Sequence, residues 1–518
     1  MKLPPRTLPI FFLFSTCWFS SIPRANAAIS ITPGPGIFVG TLDSEIGGLA
    51  GPGVNPNGND QTQVVAPPTI TGSNLNVQGF NAFLPAQGDS FQIISTLLGA
   101  PTTVTGTFTA VTFDADGALG LGLPVANAAV LFDVNTGAIT ATGLNAPASN
   151  FGQLGVTSNQ ITAATAIFNA AQIAPNQVDS STIAGVLALQ IVDAVNGSAV
   201  DLARYTPEYY GSLADYALLG DQVLARSIQD RVSPMHARTE NGPSGKNARS
   251  QPENGSVFFN YMNSSQDTAD NATLSRNDFQ LGANLVTTDR FVAGLAVSLS
   301  EGSISSQLGS ADAEGLGGMI YARGLLGDDF TIFGSLGYSQ QDYDLQRATV
   351  NGLVSGTTDA STYTSFVGIQ HRGWQLGQVS IATRVSVSYS QTDIGSFSEA
   401  GAIDALNVGG YSASVFSGEA GLSALWRTEL AGRPFSLELA LSMQQPFHTE
   451  KDQMQVSLVN LPAASYPITF AGDTSSQAVV RLNAGYEMTQ SCALFAGYEG
   501  RYGGNESHYI KGGFRFSF

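Results

Sequence analysis

Cationic side chains are missing from a long N-terminal part of this chain. Between Arg24 and Arg204 the sequence has no Lys, Arg, His, Cys or Trp, and all ten of its charged residues are Asp or Glu. Without cations this segment has little attraction for nucleic-acid phosphates or for anionic lipid surfaces. Without His it also lacks the usual general base of a serine hydrolase.

Cysteine and long apolar runs are scarce as well. Cys17 and Cys492 are the 2 cysteines of the 518 residues, and Cys17 lies in a segment that we expect to be removed. We therefore expect neither an intramolecular disulfide nor a Cys-based metal site. After the N-terminus no stretch stays apolar for the roughly 18 residues that a transmembrane helix needs. If the protein spans a membrane, it does so with strands.

The first 27 residues have the pattern of a secretory signal peptide. Lys2 and Arg6 supply a positive region, residues 10–22 are apolar, and Ala25-Asn26-Ala27 places small residues at the cleavage positions. We predict a signal peptide over residues 1–27, with cleavage before Ala28 after export by the Sec machinery.

Residues 28–156 carry short alternating runs that predict a small all-β region, either sandwich-like or a short solenoid. No repeat recurs at a fixed period, which disfavours a long β-helix. Residues 34–63 contain GPG twice and NPNGND, and this composition predicts loop or disorder. In DVNTGAIT, residues 133–140, Asn135 and Gly137 can supply the positive φ values of a tight hairpin.

Two short motifs in this region suggest chemistry, and both are incomplete. Gly88-Asp89-Ser90 is similar to the first motif of the GDS(L) esterases, which need a later Asp-x-x-His, but the region contains no His. Asp114-Ala-Asp116-Gly117 begins like a calcium loop but lacks the third alternating ligand and the terminal Glu. We expect surface turns at both places, with no enzyme activity, no cofactor and no metal site.

Helical spacing replaces alternation in residues 157–254. Apolar residues three or four apart predict one helix from about residue 161 and a second over residues 181–192. Thr206-Pro207 places an N-cap residue before a Pro at the first helical position, and so predicts a third helix that runs to Arg231. Residues 233–254 are polar and rich in Gly, Pro and Asn, which predicts a linker.

From Gly255 to Phe518 the chain repeats one pattern: about ten residues in which apolar and polar side chains alternate, followed by a turn. We count roughly twelve such segments, an even number as a bacterial single-chain barrel requires. In residues 379–389 the apolar side chains would face lipid and the polar ones would face the lumen. The last stretch, ESHYIKGGFRFSF, alternates in the same way, with Phe514, Phe516 and Phe518 on its apolar face.

Charged residues at the polar, inward-facing positions of these segments are predicted to lie in the lumen. They are Arg384, Glu419, Glu438, Arg481, Glu487, Glu499, Arg501 and Arg515. Charges of both signs inside a narrow barrel can hold one another, or can hold a helix threaded through the pore. A carboxylate cluster in the lumen could also serve a protein that cleaves itself.

The final stretch resembles the C-terminal signature by which bacterial outer-membrane proteins are recognised for assembly. The run YTPEYYGSLADYALLGDQVLARSIQDRV resembles the connector that precedes many autotransporter barrels. Together with the barrel pattern, these features resemble the translocator domain of autotransporters (type V secretion). The Asn-Asn junction that some self-cleaving members use is absent.

This resemblance implies a mainly β fold with a C-terminal barrel of about twelve strands over residues 255–518. It implies an outer-membrane location, surface display of the N-terminal region as a structural or adhesive passenger, and an interaction of Phe514, Phe516 and Phe518 with the barrel assembly machinery. The implied partners are outer-membrane lipid and the export machineries, without nucleic acid. Two alternatives remain: an outer-membrane channel with a periplasmic N-terminal domain, and an exported esterase that uses Ser90.

Overall fold

The computed structural model describes most of the chain from Ile29 onward. The described residues are 29–38, 41–46, 61–79, 90–96, 100–114, 129–143, 157–174, 177–197, 202–232, 255–268, 271–288, 290–327, 329–470, 472 and 474–518. The predicted signal peptide and the predicted linker over residues 233–254 lie outside them. The chain divides into one unit of Met1–Asn150 with Gln172–Ser181 and a second unit of Phe151–Ala171 with Thr182–Phe518.

The first unit is built from short strands. They are β1 (Ile29–Phe38), β2 (Thr41–Ile46), β3 (Gln61–Ile70), β4 (Asn74–Gly79), β5 (Ser90–Gln92), β6 (Ile94–Thr96), β7 (Ala110–Asp114), β8 (Ala129–Asp133), β9 (Ala138–Gly143) and β10 (Gln177–Val178). Two sheets are parallel, in the orders β1-β3-β6 and β2-β4-β7, and a third has the order β10-β8-β9-β5.

The parallel pairing corresponds to a short solenoid rather than to a sandwich. Ile29 pairs with Gln61 and Thr62 pairs with Ile94, an offset of 32 residues each time. The prediction of loop or disorder over residues 34–63 was wrong where β1, β2 and β3 lie. The Pro and Gly residues of β1 lie inside the strand, where its pairing with β3 shifts register between Thr32 and Ile37, and Pro and Gly are tolerated at such irregularities. A buried core fills this unit and includes Leu75, Val77, Ile94, Phe108 and Phe132.

The predicted hairpin joins β8 to β9, but its turn differs from the prediction. Gly137 has the positive φ of +69°, whereas the φ of Asn135 is not positive. Instead, the Asp133 carboxylate accepts hydrogen bonds from the Asn135 backbone N–H at 3.0 Å and from the Thr136 hydroxyl at 2.8 Å. A carboxylate that binds the backbone two residues on stabilises such a turn without left-handed backbone.

The second unit contains the helices. They are α1 (Ser158–Ala171), α2 (Ile183–Gly197), a 3-10 turn over Glu208–Tyr210, and α3 (Gly211–Val232). The predicted N-cap at Thr206 was wrong, because its hydroxyl donates to the Ala203 carbonyl at 3.2 Å and the 3-10 turn precedes α3. None of the helices in the described residues is both long and apolar enough to cross a bilayer.

The strands of the second unit follow the helices. They are β11 (Ser256–Asp267), β12 (Thr273–Thr287), β13 (Phe291–Ser305), β14 (Gly309–Leu326), β15 (Phe330–Thr349), β16 (Gly352–Leu376), β17 (Val379–Ile394), β18 (Phe397–Ser398), β19 (Leu406–Val408), β20 (Tyr411–Leu430), β21 (Arg433–Lys451), β22 (Met454–Leu458), β23 (Leu461–Ile468), β24 (Gln477–Glu487), β25 (Cys492–Tyr502) and β26 (Ser507–Ser517).

Twelve of these strands form a closed antiparallel barrel, which confirms the predicted fold. Its order is β11-β12-β13-β14-β15-β16-β17-β20-β21-β24-β25-β26, and β11 pairs with β26 to complete the ring. The strands β18, β19, β22 and β23 form a separate small sheet from the two long loops. Closure leaves no unpaired edge strand in the ring.

The two ends of the barrel differ. At one end the strands are joined by short turns, such as residues 377–378 between β16 and β17, and we call this the short-turn end. At the other end lie the long loops 395–410 and 452–476, which contain the small sheet, and we call this the loop end. Short turns on one side and longer loops on the other are typical of bacterial barrels.

Side chains alternate along the barrel strands between an apolar outer surface and a polar interior. On β17, Val385, Val387 and Tyr389 are exposed outward, while Ser386 and Ser390 are buried. On β26, Ile510, Phe514, Phe516 and Phe518 are exposed, while Lys511 and Ser507 are buried. An exposed apolar surface of this extent is characteristic of a barrel surrounded by lipid rather than water.

Candidate functional site

Helix α3 lies inside the barrel. Near its start, Ser212 contacts the Thr268 hydroxyl at 3.2 Å, and Asp215 forms an ion pair with Lys451 at 2.9 Å; both partners lie at the loop end. Further along, Gln222 accepts from Arg501 at 2.6 Å and Ser227 donates to Gln280 at 2.7 Å. The helix therefore starts at the loop end and runs toward the short-turn end.

One face of α3 packs against an apolar wall of the lumen. Leu224, Ala225 and Ile228 are buried in a cluster with inward side chains of β11 and β13–β16: Phe258, Ala296, Met319, Tyr321, Phe333 and Phe366. Burial of a Leu or Ile side chain contributes about 1.5–3 kcal/mol relative to its exposure. This face accounts for the orientation of the helix about its axis.

The opposite face of α3 carries Arg226 into a buried charge cluster. Its guanidinium lies 3.1 Å from Glu499 and 3.2 Å from Glu419, and it donates to Gln444 at 2.8 Å. The lumen wall supplies three further arginines to the same two carboxylates. Arg384 and Arg481 contact Glu419 at 3.4 Å and 2.6 Å, and Arg481 and Arg501 contact Glu499 at 2.7 Å and 2.9 Å.

This cluster, Arg226 with Arg384, Glu419, Arg481, Glu499 and Arg501, joins the helix to β17, β20, β24 and β25. Each carboxylate contacts three guanidinium groups, and these ion pairs offset the cost of removing the carboxylate charge from water. Beside it, between Arg226 and the serines of β17 and β20, lies a cavity of only about 40 Å³, room for one or two water molecules. The helix thus fills this level of the lumen and is bound there by charge.

The predicted lumen charges fall into two groups. Five of them form the cluster with Arg226, and Glu438 is buried one strand away, where it accepts a hydrogen bond from Asn483 at 3.2 Å. Glu487 and Arg515 lie near the short-turn end and are not part of the cluster. The prediction did not include Arg226, although its position on the polar face of a predicted helix was the available signal.

A second ion pair lies beside the middle of the helix. Arg276 binds Asp278 through two guanidinium nitrogens, at 2.9–3.0 Å, and its guanidinium also lies 5.0 Å from the centre of the Tyr216 ring. At this level α3 has Gly220, and a Cβ there would overlap the Arg276 guanidinium. An alanine at position 220 would therefore require the Arg276 guanidinium to move, and its ion pair with Asp278 opposes that movement.

At the loop end, buried groups hold the segment just before α3. Arg347 and Glu399 form an ion pair in which the two side chains are 1% and 0% exposed, and Arg347 also donates to the Arg204 carbonyl. Tyr210 donates to Glu399, and Tyr466 donates to the Tyr205 carbonyl at 2.7 Å. We call Tyr205, Tyr210, Arg347, Glu399 and Tyr466 the loop-end clamp.

The tyrosine hydroxyls in and beside this clamp are removed from water. Burial raises the pKa of Tyr210 and Tyr466 above the ordinary value, and it raises the pKa of the neighbouring Tyr209 as well. They remain neutral donors at physiological pH, so the clamp carries only the paired charges of Arg347 and Glu399.

Helix α1 also binds at the loop end. It packs against β23, and the Asn159 side chain donates to the Thr469 carbonyl at 2.8 Å while accepting from the Thr469 backbone N–H at 3.0 Å. Asn159 also donates to Glu208 at 2.8 Å, which ties α1 to the turn before α3. The predicted helices therefore assemble around the loop end and the lumen of the barrel.

The motifs of the first unit form no comparable site. Ser90 is the exposed first residue of β5 and pairs with Thr140, while Gly88 and Asp89 lie outside the described residues. Asp114 ends β7, and the rest of its motif also lies outside them. Across the part of the chain that the structure describes, no group of three His, Cys, Asp or Glu side chains is placed to hold a metal ion.

Comparison with known proteins points to one family. The family model for the autotransporter beta-domain matches residues 255–499. Similar solved structures include the translocator domain of autotransporter NalP from Neisseria meningitidis, with 11% identity, a TM-score of 0.47, and coverage of 60% of this chain and 97% of that one.

Two further solved structures are the beta domain of the Bordetella autotransporter Brka and the transport unit of the autotransporter AIDA-I from Escherichia coli. The first has 14% identity and a TM-score of 0.40, and the match covers 51% of this chain and 100% of that one. The second has 12% identity and a TM-score of 0.32, with coverage of 56% and 97%. No curated protein matches the chain.

Proposed function

We propose that the C-terminal outer-membrane barrel, which matches the autotransporter beta-domain over residues 255–499, displays the chain's own N-terminal segment at the cell surface, as in type V secretion. The displayed passenger is the acidic region of residues 28–156, with a structural or adhesive role. The proteins that act on it are the Sec machinery during export and the barrel assembly machinery at the outer membrane, which reads Phe514, Phe516 and Phe518.

The direction of α3 is the observation that carries this proposal. The helix begins at the loop end, and its C-terminus precedes β11, which starts at the short-turn end. In bacterial outer-membrane barrels the longer loops face the cell exterior and the short turns face the periplasm. The chain before α3 therefore leaves the lumen on the exterior side, which is where a passenger must emerge.

The contacts of α3 fit the state that follows secretion. The apolar wall, the charge cluster of Arg226 and the loop-end clamp hold the helix along its length, so the lumen is filled rather than open. A helix held in this way tethers the passenger to the barrel and also closes the pore to small solutes. Both tasks follow from the same contacts and need no cofactor.

Protease treatment of intact cells tests the proposal. Two antibodies, one against residues 28–156 and one against the barrel, follow the two parts of the chain. We expect loss of the passenger signal with the barrel retained. A passenger that is digested only after the outer membrane is broken would place it in the periplasm and overturn the proposal. A periplasmic marker protein, which must survive in intact cells, is the control.

An open channel is the second candidate, and the filled lumen disfavours it. In planar bilayers we expect the full chain to conduct poorly and a variant without residues 202–232 to conduct well. The third candidate, an esterase that uses Ser90, has no His between Arg24 and Arg204 to activate the serine. A short-chain ester substrate, with a Ser90→Ala variant as control, tests it directly, and we expect no difference between the two proteins.

A further inference from the structure

Two carboxylates of the lumen wall, those of Glu419 and Glu499, are bridged by two arginines at once. Arg481, from the wall, lies 2.6 Å from Glu419 and 2.7 Å from Glu499. Arg226, from α3, lies 3.2 Å and 3.1 Å from the same two groups. The side chains of Arg226, Glu419 and Glu499 are at most 10% exposed, so water competes little for these contacts. The helix thus inserts one guanidinium into a position between two buried carboxylates.

The wall holds these carboxylates in place by contacts of its own. Glu419 also contacts Arg384 at 3.4 Å and accepts from the Ser442 hydroxyl at 2.7 Å, and Glu499 also contacts Arg501 at 2.9 Å. Each carboxylate therefore keeps two of its three arginine partners when α3 is removed. The position that the helix fills is formed by the barrel itself, and it is preorganised for one further guanidinium.

A third acceptor orients the group that binds there. The Gln444 side-chain oxygen accepts from Arg226 at 2.8 Å, while the Gln444 amide nitrogen donates to the Ser417 hydroxyl at 3.2 Å. The planar guanidinium of Arg carries five N–H donors in a fixed fork, which suits several acceptors at once. Glu419, Glu499 and Gln444 present three such acceptors, and we call them the guanidinium site.

The N-terminal part of the chain contains no cation that could occupy this site. All 22 Lys and Arg residues lie either in residues 1–24 or from Arg204 onward, and no His lies between. The same stretch has ten Asp and Glu residues, so it is not simply poor in charge. An ionised carboxylate has no proton to donate, and it cannot bind to two other carboxylates as a guanidinium does.

We propose that the guanidinium site sets the register in which the exported chain stops, by binding Arg226, and that a cation in the passenger would bind there instead and delay display. A close pair between a cation and a buried carboxylate slows dissociation, whichever segment supplies the cation. A passenger without cations therefore leaves the site to Arg226. This inference rests on the proposed display function, and it names the residues that decide where passage ends.

The apolar face of α3 distinguishes Arg226 from Arg204, the nearest cation on its N-terminal side. Both arginines follow the dipeptide Leu-Ala. After Arg226 the helix continues to Ile228, which packs with Leu224 against the apolar wall. After Arg204 the chain leaves helical structure, and Pro207 precedes the 3-10 turn, so no matching apolar face forms. The guanidinium site therefore acts together with the apolar wall.

A single substitution in the passenger tests the site. Thr103 is exposed in the first unit, so Thr103→Arg and Thr103→Glu should leave the folded passenger intact and differ in the sign of the added charge. Pulse-chase labelling follows the time at which the passenger becomes fully accessible to external protease. We expect Thr103→Arg to delay this step about tenfold, within the range of one close charge pair at an interface, and Thr103→Glu to leave it unchanged.

A second change, in the barrel, shows whether the delay arises at the guanidinium site. Arg384→Gln/Glu419→Gln removes one carboxylate together with a wall arginine that contacts it, so the net charge of the wall stays the same. We expect this barrel to pass the Thr103→Arg passenger almost as fast as the Thr103→Glu passenger. A delay that persists would place the arrest elsewhere and overturn the proposal. Gln444→Ala, an uncharged change, should shorten the delay in the same direction. Resistance of the folded barrel to denaturation by detergent on gels verifies assembly of each variant.

The two proposals fail in different ways. If the passenger of the natural chain never reaches the surface, the display function is wrong. If it does reach the surface, and the Thr103→Arg and Thr103→Glu passengers appear there at equal rates from equal amounts of folded barrel, only the role of the guanidinium site is wrong.

Discussion

At the scale of single residues, the lumen and the loop end depend on a few ion pairs that are largely buried. The pair of Arg347 and Glu399 is the most enclosed of those described above, with side chains that are 1% and 0% exposed. Two hydrogen bonds join them, at 2.8 Å and 2.5 Å, and Glu399 also accepts from Tyr210 and from the Leu406 backbone N–H at 2.8 Å. Loss of one partner leaves the other charge buried without compensation.

We predict that Glu399→Leu lowers the free energy of local opening at residues 202–210 by about 3–5 kcal/mol, because Arg347 stays buried without its carboxylate. Arg347→Met/Glu399→Leu should cost less than the single change, since it removes both charges. Hydrogen exchange of the amides in this segment measures the opening. A double variant as damaged as the single one would contradict the explanation.

The buried tyrosines make the loop end sensitive to alkaline pH. Burial raises the pKa of Tyr209, Tyr210 and Tyr466, so the folded protein holds these protons above the ordinary tyrosine pKa of about 10. Their contribution to stability is therefore complete below about pH 10 and declines as the pH rises above that value.

We predict that the protease resistance of the connector falls above about pH 10, together with the appearance of phenolate absorbance from these tyrosines. Tyr209→Phe/Tyr210→Phe/Tyr466→Phe removes the ionisable hydroxyls and should weaken this pH dependence, although it lowers stability at neutral pH. An unchanged alkaline transition in the triple variant would assign the transition to other groups.

At the scale of elements, packing in the lumen favours a residue in α3 that helix propensity disfavours. Gly220 lies in the helix interior, where Gly is about 1 kcal/mol less favourable than Ala in an exposed helix. Here a Cβ would overlap the Arg276 guanidinium, which is held by Asp278 and lies against Tyr216. The close approach of α3 to Arg276 therefore favours Gly at position 220, although the helix propensity of Gly is low.

We predict that Gly220→Ala destabilises the docked helix, by about 1–3 kcal/mol as in other overpacked sites, although it raises helix propensity. In an Arg276→Ala background, where the obstruction is gone, the same change should become neutral or stabilising. Hydrogen exchange of the α3 amides measures both. Stabilisation of the natural barrel by Gly220→Ala would show that the helix does not pack as described.

Elements were predictable from the sequence where their pattern is local. Alternation with a period of two marks each barrel strand by itself, so the twelve-stranded ring followed from counting. The solenoid was left as one of two alternatives, because its parallel strands pair at an offset of 32 residues and short strands are separated by unequal connections. Pairing at that distance leaves no local signal.

For the charge cluster, the sequence predicts which residues face the lumen but not which of them contact one another. The alternation of apolar and polar residues along one strand predicts that Glu419 and Arg481 face the lumen. Which charges meet depends on the register of several strands and on the rotation of α3. Arg226 reaches Glu499 across 273 positions of sequence, and this contact follows from the packing of Leu224 and Ile228 on the opposite wall. No pattern within the connector contains that information.

At the scale of the whole molecule, the asymmetry of the barrel gives a test of its orientation. Asn460 lies between β22 and β23 at the loop end, and Ser491 lies in the short turn before β25; both are exposed. In a Cys492→Ala background, a single cysteine can be placed at either position without competition.

We predict that a membrane-impermeant maleimide labels Asn460→Cys in intact cells and labels Ser491→Cys only after the outer membrane is permeabilised. The expectation follows from long loops outside and short turns in the periplasm. Equal labelling of both variants after permeabilisation controls for reactivity. The reverse pattern in intact cells would mean that the barrel is inserted in the opposite direction, and that α3 starts on the periplasmic side.

The order of contacts along the connector has a mechanical consequence. If the N-terminal segment is displayed as proposed, a pull on it is transmitted along the chain to Arg204, Tyr205 and Tyr210 before it reaches Arg226. The contacts therefore bear load one after another, and those of the loop-end clamp must break before the force reaches the charge cluster. A cell attached through this protein would be held by contacts that break in series, the last of them being the charge cluster inside the barrel.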